Sequence, residues 1–394
     1  MKNKIAIASA FLAAASFSTA EIVINDFLSF EGFVDMSYSH YDGNVDIDPG
    51  VLDQDESDNS FGLNQVEISW LFDFDPVTAQ IDLQYLGNSA TTTGTDVEQA
   101  FVTYHFDGDH EGSAITAGLY ASMLGFEAFE PTGLYQSSFA YGLPNIAGDL
   151  LPFIAQDDID AVSATMFPLP GYAQGVKYTH EDDNSFFGIS LQDGVGNYSG
   201  RLGGDTGAFD GTASDGGGYG VEIAYAYDFD NGFAAFAGFA YETGDGLATT
   251  NIVTGDTESY VFNTYVTYET GAWLFAAELN YGETEWENLF GGPADLETES
   301  LSALIMANYA YSDVASVTGR ISYLDYDAEL SVAGAPQIEA EAFKYTLAHN
   351  HAFTDNLLLV TEVSYTDGDF DTNLGAVDGD FDELFAEVKL IFSF

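Results

Sequence analysis

Carboxylates dominate the side chains able to do chemistry. The chain has 64 Asp and Glu against seven Lys and Arg, a net charge of −57. After residue 20 the only basic residues are Lys177, Arg201, Arg320, Lys344 and Lys389. Nucleic acid is excluded as a partner, because binding it requires Lys and Arg to neutralise phosphates. The six histidines (His40, His105, His110, His180, His349 and His351) form no H-E-x-x-H. There is no G-x-S-x-G and no phosphate-binding loop, so the chain is not expected to be an enzyme. With no cysteine, it has neither a disulfide framework nor a thiolate metal site. What remains for so many carboxylates is handling ions, and that depends on where the backbone points them.

The backbone signal is alternation with period two. In Ala272–Tyr281, Trp273, Phe275, Ala277, Leu279 and Tyr281 face one way, while Leu274, Ala276, Glu278 and Asn280 face the other. Tyr219, Val221, Ile223, Tyr225 and Tyr227 likewise oppose Glu222, Ala224 and Ala226. A helix cannot separate such faces, but a strand must. Disorder fails as an explanation of the acidity, since disordered chains lack the 15% aromatic and 46% hydrophobic residues found here. Segments of about eight to fourteen residues, with aromatics near their ends, suit tilted membrane strands.

About sixteen such strands can be placed, from 27–41 to 381–394. Their connections alternate short (73–76, 181–184, 270–271) with long (42–60, 120–171, 193–217, 367–380), the pattern of periplasmic turns and outer loops. The predicted fold is all-β, a transmembrane antiparallel barrel with a long third extracellular loop. Residues 159–167 look strand-like inside that loop and would make eighteen strands. A soluble β-sandwich is the competing architecture, and it would bury the aromatic face against a second sheet.

Residues 1–20 read as a cleaved signal peptide. Lys2 and Lys4 precede the apolar run Ile5–Phe17, and Ser18-Thr19-Ala20 supplies the cleavage site. Residues 21–394 then form the barrel. Cleavage removes two lysines and no acid, taking the net charge from −57 to −59.

Given the strand phase, Glu31, Asp35, Glu67, Asp82, Glu222, Glu269, Glu278, Glu362, Glu383 and Glu387 point inward, giving the lumen a negative potential. Lys177, Arg320, Lys344 and Lys389 also point inward, since a cation facing lipid at the midplane costs roughly 2–4 kcal/mol. Arg320 and Lys344 fall close together on adjacent strands, and Lys177 lies seven strands away. Loop 120–171 is far longer than a connection needs. Its acids Glu127, Glu130, Asp157 and Asp158 are the expected constriction, facing Lys177, Arg320 and Lys344 across a transverse field. Asp367, Asp369, Asp371 and Asn373 space oxygen ligands like the start of a calcium loop, though Thr372 stands where a glycine is needed. Solvated acidic loops are the favoured account of them, and no other cofactor is indicated.

Three pieces resemble the OmpL-like β-barrel porins. They are Gly118-Leu119-Tyr120 with Leu124-Gly125-Phe126-Glu127; Glu130-Pro131-Thr132-Gly133 with Tyr141-Gly142-Leu143; and Gly175-Val176-Lys177-Tyr178 with Gly188-Ile189-Ser190-Leu191-Gln192-Asp193-Gly194. The resemblance implies passive passage across an outer membrane. With the acidity, it leads to an expected diffusion channel for ions and small hydrophilic solutes, favouring cations, in the outer membrane of a Gram-negative bacterium. The alternatives are a solute-specific channel, such as one for sugars, and a plugged adhesive or structural barrel. Expected partners are outer-membrane lipid, lipopolysaccharide and, through Phe394, the barrel assembly machinery, with a homotrimer among the assemblies allowed.

Overall fold

The computed structural model describes residues 21–48, 52–86, 95–106, 112–141, 169–193, 218–245, 256–289, 294–331, 337–372 and 377–394. The expected signal segment, residues 159–167, Asp157, Asp158 and Asn373 therefore lie outside the described residues.

Seventeen strands follow one another. They are β1 (Ile22–Asn25), β2 (Leu28–Asp48), β3 (Leu52–Asp73), β4 (Val77–Leu86), β5 (Thr95–His105), β6 (Gly112–Ala121), β7 (Tyr172–Glu181), β8 (Ser185–Gln192) and β9 (Tyr219–Asp228). Then come β10 (Phe233–Asp245), β11 (Asp256–Thr270), β12 (Trp273–Leu289), β13 (Ala294–Ser312), β14 (Ala315–Leu330), β15 (Gln337–Thr354), β16 (Leu357–Thr372) and β17 (Val377–Ser393). From β2 onward each strand pairs antiparallel with its sequence neighbour, and β17 pairs with β2. The result is a closed barrel of sixteen strands with one extra strand. Closure gives every strand from β2 to β17 a neighbour on each side, as a sheet in hydrocarbon requires.

Burial here is inverted relative to a soluble protein. Ile223, Tyr225, Phe275, Leu279, Ile305, Leu347, Val363 and Val388 are exposed on the outer face, while Glu222, Glu278, Asn280, Ser302, Thr318 and Arg320 are buried on the inner one. A sandwich would bury the first set instead. Aromatics gather beside the short turns: Phe27 stacks on Phe74 with centroids 5.4 Å apart, and Trp273 on Tyr309 at 4.5 Å. His349 joins this girdle, sharing a 2.7 Å hydrogen bond with the Tyr311 hydroxyl.

Several expected outer loops continue as ladder. The span read as loop 42–60 is mostly a long hairpin of β2 and β3, and of 367–380 the described residues belong to β16 and β17. Above the bilayer the outward face is no longer obliged to be apolar, so the alternation that marks a strand fades while its hydrogen bonds persist. Asp367, Asp369 and Asp371 are a case in point. They stand on β16, opposite Asp382, Asp380 and Asp378 of β17. Alternate strand residues are about 6.8 Å apart, so these carboxylates do not converge as a calcium loop would require.

The seam joins the chain's two ends. Gly32 N–H donates to the Phe394 carbonyl at 2.8 Å, and Phe394 N–H donates back at 2.9 Å. Below it, the unexpected β1 pairs Ile22 with Phe30 and so continues the line of β17. Above it, Lys389 reaches Asp35 at 3.1 Å and Glu387 at 3.7 Å. A Cβ at position 32 would lie 2.4 Å from the Glu67 carbonyl oxygen and 2.9 Å from the Phe394 ring. Gly32→Val is therefore expected to destabilise the barrel by about 1–3 kcal/mol through overpacking, read as a lower urea midpoint for loss of the heat-modifiable band on gels.

Candidate functional site

The third loop enters the lumen. A backbone segment with no ladder of its own brings unpaired N–H groups, and each needs an acceptor. The inward carboxylates of the wall supply them. On β9, Glu222 accepts from the Ser122 hydroxyl at 2.5 Å and the Met123 N–H at 3.1 Å. On β12, Glu278 accepts from the Phe126 N–H at 2.8 Å and the Tyr141 hydroxyl at 3.0 Å, and on β11 Asn263 takes the Gly125 N–H at 3.0 Å. On β16, Glu362 accepts from the N–H groups of Ser137 (2.6 Å) and Ser138 (3.0 Å), while Glu387 of β17 takes the Ser137 hydroxyl. Hydrogen bonds to ionised acceptors are roughly twice as strong as neutral ones. These carboxylates are loop tethers rather than bare lining. Asp35, Glu67 and Asp82 are also engaged. Asp35 binds Lys389, Glu67 takes the Ser69 hydroxyl at 3.0 Å, and Asp82 takes the Gln99 amide at 2.8 Å.

Two of the inward cations are clamps as well. Arg320, only 2% exposed, forms an ion pair with Glu127 and donates to the carbonyls of Ser138 (2.9 Å) and Phe139 (3.1 Å). Glu127 also accepts from the Ala140 N–H at 2.8 Å. Lys344 donates to the Phe139 carbonyl at 3.0 Å. Its ladder partner is Ser322, two residues from Arg320, which is the expected proximity. Glu127 and Arg320 are thus in direct contact, not separated across an open gap. Lys177 differs. Its ammonium lies 4.4 Å from the centre of the Tyr120 ring, with no carboxylate in ion-pair reach among the described residues.

Between Phe126, held by β12, and Glu130, held by Gln65 of β3 at 3.1 Å, the loop crosses the lumen, because those strands stand on nearly opposite walls. A 3-10 turn at Pro131–Gly133 sends it back to Tyr135, whose carbonyl accepts from Thr318 and Asn350, each at 3.0 Å. Apolar packing fixes the root: Phe126 meets Tyr265 edge-on at 5.7 Å, and Tyr265 stacks on Phe236 at 4.5 Å. Gly188 leaves room for Met123, whose sulfur would lie 2.3 Å from a Cβ there.

At the far wall, carboxylate oxygens of Glu67, Glu98 and Glu130 lie within 4.8 Å of one another. Burial first, and the Glu98 charge second, push the loop residue Glu130 up to about 8. The acceptor Asn263 and the donors Asn350, Ser137, Ser138 and Thr318 were not foreseen from sequence. Inward polar residues look alike until a loop is laid against them.

Two outcomes are expected. Arg320→Met leaves Glu127 buried without its partner, at a cost of about 3–5 kcal/mol, and limited proteolysis of the folded barrel should cut within 127–141 where the parent resists. Docking of the loop tip should also depend on pH. A docked Glu130 near 8 holds more protons than an undocked one near 4.3. Docking is therefore fullest below about pH 4.3 and weakens as pH rises through about 8, read as faster hydrogen exchange at 127–133.

The profile of the family described as "Putative beta-barrel porin-2, OmpL-like" matches residues 28–141 and 162–394. No curated protein matches the chain. Among solved structures, OmpT of Vibrio cholerae aligns with a TM-score of 0.56 at 14% identity, over 95% of this chain and 100% of its own. A trimer form of OmpT from Vibrio cholerae aligns at 0.51 and 13% identity, covering 93% and 99%. An anion-selective porin from Comamonas acidovorans aligns at 0.54 and 14%, also covering 93% and 99%. At such identities the likeness is one of fold. The profile match spans most of the chain, and the protein belongs to the OmpL-like β-barrel porin family.

Proposed function

We propose that this outer-membrane porin is a passive diffusion channel for ions and small hydrophilic solutes, with a preference for cations. One observation carries the reading: loop residues 122–141 are held across the barrel by side chains from walls on both sides. A loop fixed in this way narrows a water-filled barrel at a set height, and the acidic surroundings enrich cations there. Asp157 and Asp158 belong to the same loop and are proposed to add to its negative charge. The Glu127 charge is cancelled by Arg320, and Glu130 adds to the field at the constriction as pH rises through about 8. The remaining parts of the reading are export through cleavage after Ala20, assembly-machinery contact through Phe394, lipopolysaccharide contact and a homotrimer like the trimer form of its structural neighbour.

A second reading, the plugged barrel, draws on the same crossing segment. Single-channel recording separates the two, since a plugged barrel gives no conductance steps. In a potassium chloride gradient across a planar bilayer, the reversal potential is expected to take the sign of potassium permeation. Glu130→Gln should reduce that preference above about pH 8, where the parent residue is ionised, and leave it nearly unchanged at about pH 6. An anion-selective parent would overturn the proposed selectivity.

A further inference from the structure

Between the loop and the wall formed by β5–β11 lies a cavity of about 570 Å³. A chamber of this size is ordinary for a small-ligand site. Its lining carries both signs of charge, Lys177 together with Glu127, Glu130 and Glu181. Lys177 enters from β7, stacked over Tyr120 and without an ion-pair partner among the described residues. Glu130 enters from the loop, backed by Glu67 and Glu98 with oxygens within 4.8 Å of its own. The Glu98 Oε2 atom is buried and accepts no hydrogen bond among the described residues. Rings of Phe101, Phe126, Phe129 and Tyr265 line the space as well.

Each end asks for a different partner. The Glu222 charge acts on the Lys177 ammonium from beyond ion-pair distance and is already engaged by Ser122 and Met123, so a ligand carboxylate still matches that ammonium. Three carboxylates around one point cannot all ionise unless a cation joins them, and a ligand ammonium supplies one. The rings take an apolar group. A simple organic anion is poorly suited, because a chain of net charge −57 repels it before it arrives. A molecule carrying both charges is neutral overall and meets no such barrier. The cavity is roughly 10 Å across if round, and an extended peptide advances about 3.5 Å per residue.

We propose that the cavity between Lys177 and Glu130 is a binding station for short peptides with free ends and an apolar side chain. The carboxylate lies toward Lys177, the ammonium toward Glu130, and the side chain among the rings. This inference rests on the diffusion-channel reading and names a solute class for it. Binding has to be weak enough for release, as conduction through a site requires.

Three near-identical probes test it: alanyl-phenylalanine, its N-acetyl form and its C-terminal amide. The free dipeptide should interrupt single-channel current at concentrations about tenfold below either capped form, the loss expected for one charge-assisted contact. Lys177→Met should abolish its advantage over the amide, and Lys177→Arg should retain it. Glu130→Gln should abolish its advantage over the acetylated form. Heat modifiability checks that each variant folds. Equal block by all three peptides overturns the proposal, as does an advantage that survives in both neutral variants. Calorimetry in detergent separates the two readings. Selective binding without conductance steps sinks the channel and keeps the station, whereas conductance steps without selective binding do the reverse.

Discussion

A loop carried inside a barrel brings its backbone N–H groups with it, and each must find an acceptor where the ladder no longer provides one. Much of the lumen follows from that constraint. Glu222, Glu278 and Glu362 stand on different strands and together take the N–H groups of Met123, Phe126, Ser137 and Ser138. Arg320 and Lys344 do the converse for the carbonyls of Ser138 and Phe139. The wall thus carries donors where the loop offers oxygens and acceptors where it offers N–H groups.

This division of labour changes what the acidity means. Part of the inward negative charge is committed to holding the backbone, and part is cancelled at Glu127–Arg320 and Asp35–Lys389. Where carboxylates crowd without a cation, at Glu67, Glu98 and Glu130, they cannot all ionise, and the cluster gains charge only as pH rises. Neighbours of the same fold include an anion-selective porin, so selectivity belongs to such local arrangements and not to the barrel as such.

The barrel itself was legible in the sequence because lipid and water enforce strict alternation. The faces of Trp273–Tyr281 and Tyr219–Tyr227 separate as the residue types require. The seven-strand distance from Lys177 to Arg320 and the closeness of Arg320 to Lys344 followed from strand order alone. Strand β1 escaped notice because four residues, all exposed, carry no period to read. The hairpins above the bilayer escaped for a related reason, as the Asp and Gly of 42–60 alternate nothing. The tethers were hidden more deeply: Glu278 and Glu362 are 84 residues apart with neither motif nor spacing to link their roles, and only the folded loop shows that both serve it.

The height of the wall is uneven. Strands β4 to β9 have between eight and eleven residues, whereas β2 and β3 have 21 and 22, and β11 to β17 have fifteen to nineteen. The raised portion is studded with Asp and Glu, and its ladder hydrogen bonds keep those charges at fixed elevation. Among the described residues the rim is therefore a lopsided acidic collar, with a lateral dipole across its opening. The negative side overhangs the half of the barrel that clamps the loop, and the low side overlooks the half that contains Lys177.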